Sequence, residues 1–140
     1  MELKVRNERL QELRRVVAAV PDELLYMFEV RMELDCGTAY CAAGWAGQDP
    51  YFVERGFKLG HSNVRYTSLE SSIDVFGFDA LKEFFGLSDK NTEKLFGTGM
   101  KAYRRGAKKE HVLANIDRLL TGKAALCYER SLTRLEAPST

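Results

Sequence analysis

Ten of the eleven glycines in this chain fall between positions 37 and 106. Glycine weakens helices and strands and marks corners, because it loses more backbone freedom on ordering than any other residue. The middle of the 140-residue chain is therefore built from short elements and tight turns. Long helices fit only in the two flanks.

The first flank reads as an amphipathic helix over 3–20. Leu3, Leu10 and Val17 recur every seven residues, and Leu13, Val16 and Val20 fill the same stripe. Arg6, Arg9 and Arg14 lie off the stripe and are expected to stay solvated. Pro21 ends this helix or opens another, and Asp22 and Glu23 suit a helix start. A short helix over 24–28 is the expected continuation. The second flank is the clearest helix, 107–121. Val112, Leu113, Ile116, Leu119 and Leu120 form one stripe there, and Gly122 stops it. A last helix over 123–135 would place Ala125, Tyr128, Leu132 and Leu135 on one face.

Between the flanks the periodicity changes. Phe28, Val30, Met32 and Leu34 alternate with Glu29, Arg31, Glu33 and Asp35, the period of a half-buried strand; a helix is the second choice. Residues 39–47 are small and apolar enough for a buried helix. Residues 57–59 and 64–66 bracket Gly60-His61-Ser62-Asn63 as a hairpin. Asp79 can cap a helix over 80–85 closed by Gly86, and Ser88 one over 89–96 closed by Gly97. The expected fold is mainly α (α+β): a compact bundle of about six short helices with a β-hairpin or a two-to-three-stranded sheet. Residues 1–136 read as one globular domain, with a loose tail over 137–140.

Composition narrows the class. A hydrophobic fraction of 45% is too high for disorder. The longest run without Asp, Glu, Lys or Arg is 36–48, far short of the ~20 residues of a membrane span. The N-terminus has no apolar signal core, and three cysteines do not make a disulfide framework. The expectation is a cytoplasmic protein in a reducing compartment, with no membrane contact.

The most distinctive stretch is Cys36-Gly37-Thr38-Ala39-Tyr40-Cys41-Ala42-Ala43-Gly44-Trp45-Ala46. It looks like a helix start with Cys36 or Thr38 near the N-cap and Cys41, Ala42, Gly44 and Trp45 running into the core. Buried structural cysteines are the leading reading, since free cysteine usually behaves as a small hydrophobe. Three alternatives compete with it. Cys36 near a helix N-terminus could be a nucleophile, with His61 or His111 as base. Cys36, Cys41 and His61 could ligate zinc, although the second paired spacing of a structural site is missing. Cys36 and Cys41 could form a redox pair, although their spacing is not C-x-x-C.

This C-G-T-x-x-C-x-A-G-W-A run resembles a signature of small, largely uncharacterised proteins of bacteria and their phages. The resemblance covers roughly residues 28–121 and includes Phe84-Phe85-Gly86-Leu87 and Leu95-Phe96. It implies a compact, mainly helical domain, no assigned catalytic role, and an inhibitor or host-interaction role as a special case.

Charge is unevenly spread. The net charge of +1 hides a surplus of seven acids over bases in 16–93 and of seven bases over acids in 94–134. The densest basic part holds Lys101, Tyr103, Arg104, Arg105, Lys108 and Lys109. It could meet a protein partner or phosphates, or simply be solvated surface. Gly97-Thr98-Gly99-Met100-Lys101-Ala102 matches G-x-G-x-x-A, but a capped helix precedes it where a strand is required, so the dinucleotide reading is discarded. Of Phe76, Phe78, Phe84, Phe85 and Phe96, any ring found exposed would mark a partner site.

The leading expectation is a non-catalytic protein that binds another protein and takes no cofactor. Its contact would be either the basic 101–109 segment or the acidic middle, and an inhibitor of a host system is the special case. Nucleic-acid binding through 101–109 is the first alternative. A Cys-dependent enzyme or metal site at Cys36/Cys41 is the second.

Overall fold

The computed structural model describes residues 1–25, 31–34, 37–61, 63–68, 70–96 and 109–126. It shows a mainly helical α+β fold with six α-helices, a three-stranded antiparallel sheet and a two-stranded hairpin among these residues.

Helix α1, Leu3–Ala19, buries Leu10, Leu13, Val16 and Val17, as the stripe requires. Leu3 is the exception and stays exposed. The arginines expected in solvent are instead used structurally. Arg6 Nη2 donates to the Leu119 carbonyl at 2.8 Å, and Arg9 Nη1 donates to the Phe84 carbonyl. Those carbonyls lie in the last turns of two other helices, where cations offset the negative end of the dipole. Arg14 pairs with Asp117 at 2.8 Å while still half exposed.

Pro21 precedes a single 3-10 turn, Asp22–Leu24. The helix expected over 24–28 does not form at Leu25, whose backbone is extended; residues 26–30 lie outside the described set. Strand β1, Arg31–Leu34, pairs antiparallel with β2, Gly37–Tyr40, in the register Arg31↔Tyr40 to Leu34↔Gly37. The buried helix expected over 39–47 is thus corrected at its start. Ala39 and Tyr40 join a hairpin ladder, and helix α2 runs only over Ala42–Ala46.

Asp49 caps the next helix, α3, Pro50–Glu54, accepting from the Tyr51 amide at 3.0 Å. This Asp-Pro helix start is an element not anticipated above. Strands β3, Phe57–Leu59, and β4, Val64–Thr67, form the expected hairpin, closed by a 2.7 Å bond from the Gly60 amide to the Asn63 carbonyl. The third strand allowed for in the expected sheet is β5, Asp74–Phe76, whose position the sequence did not mark, and it adds to the far side of β4. Helix α4, Gly77–Phe85, follows at once and starts earlier than the Asp79 cap implied. Gly86 closes it at φ 60°, as expected of a left-handed C-terminal glycine. Helix α5, Asp89–Phe96, is capped by Ser88, whose Oγ accepts from the Asn91 amide.

Helix α6, Lys109–Leu120, packs against α1 and buries Val112, Ile116 and Leu119. Its polar residues His111 and Asn115 are buried too. The helix expected from residue 123 does not begin there. Residues 123–126 are irregular, because side chains claim their backbone. Asn115 Oδ1 accepts from the Leu126 amide and its Nδ2 donates to the Leu126 carbonyl, while Asn91 Oδ1 accepts from the Ala125 amide. The rest of that expected helix lies outside the described residues.

The core is centred on five fully buried rings: Phe52, Phe57, Phe84, Phe85 and Phe96. Neighbouring centroids in this cluster lie 4.9–6.0 Å apart, in tilted and edge-to-face arrangements favoured by the ring quadrupole. Phe84 touches four of the surrounding aromatic rings and also lies under the Arg9 guanidinium, 4.2 Å from its centroid. Phe84→Ala is therefore expected to cost about 3–5 kcal/mol, measured as a lowered denaturant midpoint.

Candidate functional site

The signature stretch divides between two elements. Gly37 and Thr38 lie in strand β2, and Cys36 lies outside the described residues. Cys41, rather than Cys36 or Thr38, is the N-cap of α2. It is 3% exposed, and burial pushes its thiol upward, opposed in part by the Ala43 and Gly44 amides. An activated nucleophile has the reverse tuning. Gly44 is buried in α2. Trp45 stands at the core edge and donates from Nε1 to the Leu24 carbonyl at 2.9 Å. One side of Trp45 lines an open surface groove of about 340 Å³ with Val16, Val20, Pro21 and Pro50.

Of the basic segment, only Lys109 is described. Its Nζ donates to the Ala18 and Val20 carbonyls and pairs with Asp22 at 3.2 Å, so it ties α6 to the end of α1. Lys101, Tyr103, Arg104, Arg105 and Lys108 lie outside the described residues. Among the described residues no three metal-ligating side chains come together, and no helix is long and apolar enough to cross a membrane.

The aromatic stretch separates by exposure. Phe84, Phe85 and Phe96 are core, whereas Phe76 is 59% exposed. The cause is strand periodicity. Along the sheet, Phe57, Val64 and Tyr66 point into the core, so Lys58, Arg65, Thr67, Asp74 and Phe76 face outward. The register places Lys58, Arg65 and Phe76 in one row across the three strands, with Thr67 and Asp74 in the next.

Arg65 organises this face. Its Nε and Nη2 bond both Asp74 oxygens at 2.8 and 2.7 Å, and its guanidinium lies 5.1 Å from the Phe76 centroid. Thr67 Oγ1 adds a third bond to Asp74 at 3.1 Å. The arginine lowers the Asp74 pKa, first by hydrogen bonding and also through its charge.

A recess lies beside the Lys58 end of the row. Gly56, one of its lining residues, has φ +89°, and a Cβ there would fall 2.0 Å from the Thr67 carbonyl oxygen. Only glycine fits there, and the open groove, about 420 Å³, is lined by Val53, Glu54, Gly56, Lys58, Arg65 and Thr67. The sequence signal for this site was the aromatic stretch. Lys58, Arg65 and Asp74 carried no signal, because isolated charges on strands usually mark solvent.

Two measurements check this description. Site-resolved alkylation at neutral pH should find Cys41 slow in the folded protein and fast after unfolding. The Asp74 carboxyl should titrate below its ordinary value of 3.8 by NMR. The small contribution of its pair with Arg65 is then present above pH 3.8 and disappears as the pH falls through the lowered value.

Set against protein-family models, curated proteins and solved structures, the chain matches none of them.

Proposed function

We propose that the protein is a small non-catalytic binding domain of the cytoplasm that acts through protein–protein contact. The contact is the outer face of the β3–β4–β5 sheet, in the acidic middle of the chain, with Phe76 as its anchor. The observation that carries this reading is a large aromatic ring, 59% exposed, on the edge strand of a polar sheet face. Protein contact sites combine aromatic residues and arginine at their centre with a polar rim, and a few such residues carry most of the binding energy.

The Arg65–Asp74 pair supports the same reading. It holds the guanidinium beside the ring before any partner arrives, so less side-chain freedom is lost on binding. The resemblance to phage-borne proteins is the sole support for a host protein as the partner and for the inhibitor case.

Capture from bacterial lysate on the immobilised full chain tests the proposal, with Phe76→Asp as the comparison. The exposed ring makes little contact with the core, so the variant should keep its melting temperature. It should lose about 30-fold or more in affinity for a captured protein, corresponding to about 2 kcal/mol at an anchor residue. Equal capture by Phe76→Asp and the unaltered chain would sink the assignment of this face.

A further inference from the structure

Residues 123–126 lie along a seam between α5 and α6, and three side chains hold them there. Asn91 on α5 accepts from the Ala125 amide, and Asn115 on α6 bonds the Leu126 amide and carbonyl. Arg118 Nε donates to the Ala124 carbonyl at 2.7 Å. Asn115 Nδ2 also donates to the Lys94 carbonyl at 3.3 Å, so the two helices meet at this seam.

The seam has a basic rim on both sides. A helix turns about 100° per residue, so Lys94 and Lys90 lie to one side of Asn91 around α5, while the buried Thr92, Leu95 and Phe96 lie to the other. Around α6, Arg118 lies to one side of Asn115, and the buried Val112, Ile116 and Leu119 lie to the other. Both asparagines face the seam, so Lys90, Lys94 and Arg118 rise on its outer side, away from the core. Lys123 stands at the end of the strip, its amide bonded to the Arg118 carbonyl at 2.8 Å. Lys90 and Lys123 are exposed, and Lys94 and Arg118 are half-buried.

We infer that this seam is a second binding surface, which holds the phosphate backbone of a DNA duplex without regard to base sequence. It shares no residue with the outer sheet face.

Charge is the first argument. Lys90, Lys94, Arg118 and Lys123 take part in none of the ion pairs observed among the described residues. The neighbouring acids turn elsewhere. Asp89 pairs with Lys82 on α4 at 2.9 Å, and Glu93 follows Asp89 one turn later on that side of α5. Asp117 pairs with Arg14 on α1, and Glu110 lies about 12 Å along α6 from Arg118. The sequence joining α5 to α6 adds four cations, Lys101, Arg104, Arg105 and Lys108, and no acid. Charges more than about 10 Å apart are largely screened at 0.1 M salt, so this local surplus outweighs the net charge of +1.

The surface between the cations is the second argument. Its exposed residues are Thr121, Gly122 and Ala124, which let a backbone approach closely. A protein interface centres on aromatic or large apolar anchors, and single-stranded nucleic acid stacks its bases on aromatic rings. Among the described residues this strip offers neither. What remains is recognition by charge alone, and a duplex presents a dense, repeating line of phosphates to it.

Fluorescence anisotropy tests the inference, with the full chain titrated into a labelled DNA duplex of about 20 base pairs between about 20 and 200 mM salt. Affinity should fall with salt at a log–log slope of about −3 or steeper, as four phosphate contacts require. Two duplexes of unrelated sequence should bind alike. Lys90→Ala/Lys123→Ala should keep its fold by circular dichroism, bind about tenfold more weakly or worse, and show a slope shallower by about two. Lys4→Ala/Lys58→Ala removes the same charge from exposed positions elsewhere and should bind like the unaltered chain.

A chain that does not bind the duplex at the lowest salt overturns the inference. Equal losses in the two double variants also overturn it, because binding then follows net charge and not this strip. So does poly-glutamate that competes as well as unlabelled duplex, which would make the partner an acidic protein. Phe76→Asp should bind the duplex like the unaltered chain. Phe76-dependent capture without duplex binding removes only this inference, and duplex binding with Phe76-independent capture removes only the sheet-face reading.

Discussion

Five phenylalanines hold together elements that could not persist alone. Phe52 comes from a five-residue helix, Phe57 from a three-residue strand, Phe84 and Phe85 from a nine-residue helix and Phe96 from an eight-residue helix. Helices shorter than about 12–15 residues are marginal in water, and an isolated hairpin fares little better. Their stability is therefore tertiary, and it is concentrated where these rings meet at 4.9–6.0 Å. Helix α1 closes the cluster from outside. Arg9 lies over the Phe84 ring and bonds the Phe84 carbonyl, so one side chain both covers the core and caps α4.

This core dictates the candidate site. Once Phe57, Val64 and Tyr66 point inward to the rings, strand geometry forces Lys58, Arg65 and Thr67 outward. The third strand then brings Asp74 and Phe76 alongside them in a fixed register. Glycine is required at position 56, because the turn into β3 approaches the Thr67 carbonyl too closely for a side chain. The exposed Phe76 and the arginine beside it are consequences of one packed sheet face.

Much of the organisation was legible in the residues, for identifiable reasons. The stripes of α1 and α6 repeat over several turns, so their periodicity outweighs local noise. Ser88 and Gly86 act as cap residues because capping is local chemistry. Failures fell where local preference was weak. Ala39 and Tyr40 sit in a small-residue run that suits a helix, yet pairing with β1 drew them into a ladder. Strand β5 spans three residues and has no independent period to detect. Ala125 reads as helical by its neighbours, but bonds from Asn91 and Asn115 hold its segment in an irregular path. These partners lie 34 and 11 residues away in the chain, beyond any local pattern.

By itself the sequence determined the class of fold, the two flanking helices, the central hairpin and the crowding of short elements between them. Each follows from periodicity, capping or glycine placement within a few residues. Only the tertiary structure decided which phenylalanine would be left in water. Phe76 and Phe84 are the same residue type in the same aromatic stretch, and nothing near either in sequence separates them. The separation comes from strand register against β4, which turns Phe76 to the outer face while the α4 helix rolls Phe84 into the core. The same distinction holds for the charges. Composition placed acids in the middle and bases toward the C-terminus, but folding tied Lys109 to Asp22 and Arg65 to Asp74. Coulomb interactions depend on distance in space, which only the packed chain sets.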